Sequence, residues 1–478
     1  MSTSAKTQTS PSSTASPSSL FKWPGITPAS TAVLRRTLEE NDRRFDIWGK
    51  RRFEHNHFAH SQLTRYALGA TPKLLEETWA HDQRDLTSID PRERGVGEEK
   101  VPPAITRENW SDPRWLGQKE AFLPYLTFFH AEIERLGSLE TVKQYLFSVE
   151  ANSGGKGNKA GPRMMIRLVA GVIHPFIHVG FGLEFGDKIV LAEGLAEAAV
   201  HSPDLEAALF PDDWPQATLP NHPNEPSKSL LDIYTEFSTL PSLAPGPYDP
   251  DALINTRLKD ALKDGKADET RRLVSLWSLE DVDLEGQGLQ KKLEEIAILT
   301  TLLTGATGRP GKEKRVDFFL MHTLTSSIFL PSYLSPLSLS ERRIVLQSYL
   351  LVVLHTVLAR GRPKLDTALL MSYSENPSAK DYKVSAKGTD TIGAPTYNPW
   401  THIIDTSLHA KDSHVPKAIR SLVHYSSLYG NTQEQDGIDG TIFIRCAGAV
   451  MDVTGWVLEG EQAGGWDMSA LGWDGAWE

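Results

Sequence analysis

Fifteen histidines occur in the 478 residues, and several of them stand in apolar, helix-forming surroundings instead of polar loops. A neutral imidazole inside a helical core is costly unless it is satisfied, and one metal ion can satisfy several imidazoles together. The first cluster is His55, His57 and His60 in FEHNHFAH. At about 100° per residue, His57 and His60 lie about 60° apart on a helix, so they can aim at one point, with His55 displaced from both. The competing reading is a partly exposed helix start. His174 and His178, in GVIHPFIHVGFGLEF, have the i, i+4 spacing of two-histidine metal helices. Pro175 intervenes; it kinks the helix or restarts it with the proline near the first helical position, which makes His178 the firmer ligand candidate and His174 the weaker. No Glu follows His174, so this is not the zinc-protease motif. His322, in FFLMHTLTSSIF, and His355, in YLLVVLHTVLARG, are lone histidines on strongly apolar helices. Either could be a core histidine bonded to a carbonyl or hydroxyl. The company of four such helices favours a shared metal.

Imidazole suits zinc, copper, iron and nickel alike. Zinc with three or four histidines and an open position would activate water for hydrolysis; iron would bind dioxygen and an adjacent substrate. No Glu–His pair marks a hydrolase, and the expected lining (Phe58, Phe176, Phe181, Phe318, Phe319) favours a flat hydrophobic substrate and redox chemistry. Asp317 and Glu184 lie in apolar segments, where either could be a ligand and orienting an imidazole is the favoured role. The charges of Arg360 to Lys364 read as a solvated helix stop.

The elements that must carry these groups are helical. Apolar spacing predicts helices from about Thr31, over His55 to Leu68, from Thr71-Pro72 (N-cap, then proline at the first position) through Trp79, and over Tyr125 to Leu136 and Thr141 to Phe147. Further helices are predicted at Arg163 to Phe185, Leu289 to Leu303, Val316 to Phe329, Ser340 to Ala359 and Val415 to Leu428. Gly440 to Arg445, GTIFIR, is the best strand signal. Long connections fall at Asp90 to Thr106, Phe210 to Ser227, Leu243 to Asp251 and Ser374 to Pro399. The expectation is a mainly α, large single-domain fold over residues 21–478, with long loops over a central histidine-lined site. A Ser/Thr/Pro-rich tail, residues 1–20, is expected to be disordered.

Hydrophobic residues make up 40% and charged residues 23%, with a net charge of −11. That balance is globular and argues against a nucleic-acid surface. Cys446 is the only cysteine, which excludes an intramolecular disulfide and fits a reducing, cytoplasmic setting. No apolar run is expected to cross a bilayer, and the tail lacks the apolar region of a secretory signal. Three glycine patterns fail their context tests. Gly155-Lys156-Gly157 and Gly180-Phe181-Gly182 follow no strand, and Glu313 stands where a phosphate loop from Gly305 needs Ser or Thr. Flavin, nicotinamide and ATP enzymes are therefore disfavoured, and no G-x-S-x-G elbow occurs.

HNHFAHSQLTRYALGA, HPFIHVGFGLEFGD, DFFLMHTLTSSIFL, LARGRPKL, HVPKAIRSL and the ending LGWDGAWE together resemble the questin oxidase-like proteins of fungal polyketide clusters, in the family's order. The resemblance implies a Baeyer–Villiger-type oxidase or a non-haem iron dioxygenase that breaks a carbon–carbon bond of an anthraquinone or related aromatic polyketide. It implies Fe(II) and O2, four histidine ligands and a carboxylated lysine, and it leaves NADPH open as a co-reductant. Carried over by motif, the ligands are His57 or His60, His174 or His178, His322 and His355, with Lys364 as the lysine; His178, His322, His355 and Lys364 are then the catalytic centre. A zinc hydrolase on the same histidines and a non-catalytic helical binding protein are the competing readings. The partner expected is a small aromatic molecule, with no nucleic acid and no membrane.

Overall fold

Caps and apolar faces set the helices close to where the sequence places them. Thr27 caps the helix Pro28–Arg44, accepting from Ser30 N, with proline at its start. Thr71 does the same for Pro72–Asp82, accepting from Leu74 N at 3.2 Å. Ser338 and Glu341 close a reciprocal capping box at the head of Leu339–Ala359. The structure, a computed structural model, describes residues 21–50, 55–153, 161–216, 218–220, 226–380 and 398–478. The expected tail at residues 1–20 and most of the glycine pattern that begins at Gly155 lie outside these.

The fold is mainly α. One apolar core runs from Leu34 to Trp456 and takes residues from helices along the whole described chain. Its centre is Met164–Phe185, packed along Lys188–Val200. Glycines allow the two backbones to meet. A Cβ on Gly182 would lie 2.6 Å from the Leu191 backbone, and one on Gly194 would lie 2.6 Å from Val179 N. GFG is thus a packing surface between helices. This approach brings the carboxylates of one helix against the histidines of the other.

The long helix is interrupted where proline predicts a restart. Gly171, Val172 and Ile173 take left-handed backbone conformations, and helical geometry resumes with His174 and Pro175 in its first turn. Positive φ at two β-branched residues is strained backbone, a feature that tends to gather at functional sites.

Three expectations are corrected. Gly440 to Arg445 is no strand: Ile442–Thr454 is a helix whose Ile442, Phe443, Cys446, Ala447, Val450 and Met451 recur on one buried face. The helical period extends past the β-branched start, and packing overrides local propensity. Among the described residues the strands are Phe45–Gly49 and Leu86–Ser88, an antiparallel pair. Second, Met164–Phe185 and Leu339–Ala359 are long and apolar enough to cross a membrane by length and composition, yet most of each lies inside the fold. Third, Arg360 is buried and paired at 2.8 Å with buried Asp317, which also caps Phe318–Ser327. This pair, closed around the base of the His322 helix, takes the place of the expected solvated charge.

A four-histidine cluster around a buried lysine

His57 reaches the centre from a segment that backbone and side-chain bonds hold rigidly. His55 pairs with Trp48 in an isolated bridge, and Asn56 N donates to Ile47 O at 2.6 Å. The buried Asn56 amide donates to Asn41 at 2.9 Å and its Oδ1 accepts from Phe58 N. The helix therefore begins at Phe58, later than expected, with His57 at its N-cap. His174 arrives from the restarted helix, His322 from the helix capped by Asp317, and His414 from the first residue of His414–Tyr429.

These four imidazoles form a closed ring. Centroid separations are 5.1 Å for His57–His174, 4.9 Å for His174–His322, 5.0 Å for His322–His414 and 4.7 Å for His414–His57. The acceptors behind three of them fix the tautomers. His174 Nδ1 donates to Gly171 O at 2.6 Å, and His322 Nδ1 to Phe318 O at 2.8 Å. His414 Nδ1 donates to the Asp412 carboxylate at 2.7 Å. A carbonyl or carboxylate can only accept, so each of these rings keeps its Nε2 lone pair for the centre. His322 Nε2 and His414 Nε2 have no hydrogen-bond partner, and His57 Nε2 lies 3.0 Å from His174 Nε2. One nitrogen each of His57, His174 and His322 falls within 4.8 Å of the others, close enough to hold a single ion. Burial, reinforced by neighbouring imidazoles and by Lys417, holds all four rings below the usual histidine range and hence neutral, the ligating form.

Lys417 follows His414 by one helical turn. It is buried, its Nζ has no hydrogen-bond partner, and burial pushes its ammonium down to about 7, partly offset by Asp412. Its charge acts on His57, His60, His174, His322 and His414, so it lies near all five. Phe318 contacts the His322 and His414 rings edge-on, both at 4.8 Å.

The structure thus gathers His57, His174 and His322 from the expected set and leaves others out. His60 faces His178 at 4.7 Å and stacks on Phe181. His178 binds Glu193 at 3.0 Å and lies 3.3 Å from Glu197. Burial alone would depress His178, but these two carboxylates hold it up at about 9. Lys364 is exposed and borders a surface groove of about 1200 Å³ with Leu231, Tyr234 and Tyr429, away from the histidines. Glu184 pairs with Arg420. Phe58 packs on Trp79 and Phe176 on Tyr333, while Phe319 lies under Arg360. Of the expected aromatic lining, Phe318 and Phe181 touch histidines. His414 and Lys417 were missed, although HVPK carries both at i, i+3 in one helical turn.

His355 is a core histidine. Its Nε2 donates at 2.8 Å to Leu258 O, one of the last carbonyls of Ile254–Asp260. Burial holds it near 4, partly offset by that bond. The unfolded chain takes up a proton near 6.5 that the native state refuses, so stability present above that value is lost as pH falls towards 4. His355→Gln keeps the donor but does not titrate. From pH 7 to 5 the wild type should lose about 2 kcal/mol more stability than this variant in urea denaturation. Equal losses would place the proton uptake elsewhere.

The sequence profile of the questin oxidase-like family matches residues 54–422, which include all four ring histidines and Lys417. A Baeyer–Villiger monooxygenase of Aspergillus aculeatus is 26% identical over 95% of this chain and 91% of its own. A Baeyer–Villiger oxidase of Emericella nidulans is 26% identical over 94% of each chain. A questin oxidase of Aspergillus fumigatus is 30% identical over 62% of this chain and 63% of its own.

Proposed function

The chain belongs to the questin oxidase-like family, and on that premise we propose that it is an oxidoreductase that breaks a ring carbon–carbon bond of an anthraquinone or related aromatic polyketide, using one non-haem iron and O2. The observation that carries this reading is the ring of four neutral imidazoles around an unpartnered buried lysine. His57, His174, His322 and His414 would hold the iron through nitrogen. Lys417, in place of Lys364, would add an oxygen ligand once its amine has taken up CO2.

The donor set fits the ion. Buried lone pairs without partners are costly, and a cation satisfies them at once. Iron bound there would supply the activation of dioxygen that flavin supplies in other oxygenases. The chain's own part is positioning. Gly171, Phe318 and Asp412 hold three imidazoles in one tautomer and one orientation. Phe318 offers an aromatic face beside the ring, suited to a flat apolar substrate, and burial excludes bulk water. A small aromatic molecule is the partner this chemistry needs; no nucleic acid or membrane enters it.

The test is elemental analysis of anaerobically purified protein, then oxygen uptake with an anthraquinone and 18O2 labelling of the product. Iron-dependent uptake and a ring-opened, labelled product are expected. Two labelled atoms mark a dioxygenase. One labelled atom marks the Baeyer–Villiger route, in which a two-electron donor such as NADPH reduces the second oxygen atom to water. Turnover that ignores iron, or hydrolysis dependent on zinc, would overturn the proposal.

A further inference from the structure

A second cluster stands beside the first and has no part in it. His55 and His201 face each other through Nε2 atoms 2.9 Å apart, and Glu197 Oε1 lies 3.7 Å from His55 Nε2. One ligand atom from each of the three falls within 4.8 Å of the others. His201 Nδ1 donates to Glu197 O at 2.8 Å, which leaves its Nε2 lone pair pointing at His55.

Glu197 is the telling residue. It is fully buried, and neither carboxylate oxygen completes a hydrogen bond. A buried carboxylate in that state is costly until a cation meets it. Glu193 and Glu197, one helical turn apart, share the single imidazolium of His178, and Glu193 takes a further bond from Asn41 at 2.9 Å. Lys119 acts on the His55 and His201 imidazoles through its charge, its ammonium seated 3.8 Å from the centre of the Trp48 ring.

We propose that His55, Glu197 and His201 bind a second divalent first-row metal ion, separate from the ion of the four-histidine ring. Two nitrogens each about 2.05 Å from one ion and at right angles stand about 2.9 Å apart, which is the separation seen here. Two imidazoles and one carboxylate are the donor set that holds ferrous iron with open positions, and they also accept zinc or manganese. The backbone makes room for it. A Cβ on Gly171 would lie 2.5 Å from His201 Nε2, so the left-handed turn keeps clear the nitrogen that must ligate. The same turn offers its carbonyl to His174. The two sites are neighbours, with His55 stacked on His174 at 3.9 Å.

The alternative is a plain His55–His201 hydrogen bond, and metal counting separates the two. Chelator-stripped full-length protein is titrated with Co(II), followed by its visible absorbance and by elemental analysis after desalting. Two equivalents per chain are expected in the wild type. His55→Ala and the near-isosteric Glu197→Gln should each bind one, His322→Ala one, and His55→Ala/His322→Ala none. The wild-type count itself needs no variant, and circular dichroism checks the folding of each. A wild type that binds one equivalent and keeps it in His55→Ala overturns the proposal. A wild type that binds one equivalent and loses it in His55→Ala, but not in His322→Ala, supports this site and removes the four-histidine reading instead.

Discussion

His322→Ala should strip the protein of the ion of the four-histidine ring and lower oxygen-dependent turnover by more than about 100-fold, while circular dichroism still reports a folded helical chain. The magnitude follows from position. Loss of a partner behind a ligand costs about 10–100-fold in metal affinity or activity, and loss of the ligand itself costs more. His322 Nε2 has no hydrogen-bond partner, so the substitution removes a lone pair from the ring and, outside it, only the bond from Nδ1 to the Phe318 carbonyl. His355→Ala gives the contrasting result. It keeps its iron and its turnover but is destabilised by about 1–3 kcal/mol, because Leu258 O loses its donor inside the core. Elemental analysis, oxygen uptake and urea denaturation of the two variants read all of this. A folded His322→Ala protein with full iron content would remove the four-histidine ring from the mechanism.

The contrast between these two histidines shows what the sequence carries and what it does not. His322 and His355 have the same local description, a lone imidazole on an apolar helix. Local pattern decides that each is buried, because apolar period and burial are the same physical fact. It does not decide what satisfies the ring. For His355 the answer is an orphan carbonyl 97 positions away at the end of a short helix. For His322 the Phe318 carbonyl takes the Nδ1 proton, and Nε2 faces three other rings without a hydrogen-bond partner. Helix positions were legible for the same reason, since caps such as Thr71 and Ser338 are local chemistry. The choice of His57 over His60 needed the start of the helix at Phe58, which Asn56 sets by bonds to Asn41 and Phe58.

Within the His174 and His178 pair, the sequence favoured the wrong member for the ring. Pro175, which kinks the helix or restarts it, makes His174 the weaker candidate of the pair by sequence. The restart it permits instead turns His174 Nδ1 onto Gly171 and its Nε2 towards His57. His178 is drawn to the carboxylates of Lys188–Val200, whose i, i+4 spacing at Glu193 and Glu197, continued to His201, is plain in EGLAEAAVH once the two helices are known to pack. His414 stayed hidden because polar residues precede it and its partners lie from about 90 to more than 350 positions away.

Lys417→Met should abolish metal binding and turnover as fully as His322→Ala, and Lys364→Ala should leave both unchanged. A protonated lysine among the ring imidazoles opposes a dication. At an effective dielectric constant near 20, a divalent ion and an ammonium about 5 Å apart repel by about 7 kcal/mol. The lysine must therefore be neutral or carry negative charge when the ion is bound. Burial already favours the free amine by drawing its protonation down to about 7. In the proposed modification that amine would attack CO2, form the N–C bond and release a proton, and the resulting carbamate would be an anion where an ammonium stood. Met fills the stem volume and cannot take this step, so the ring keeps its packing and loses one oxygen donor. Lys417→Ala opens a cavity instead, and added acetate or formate should restore part of the iron content there by placing a free carboxylate in it. Growth of the wild-type signal in 13C NMR after addition of 13C-bicarbonate checks the modification directly. Full iron loading and turnover in a folded Lys417→Met protein would return Lys417 to the role of a buried base and leave the four imidazoles as the whole ligand set.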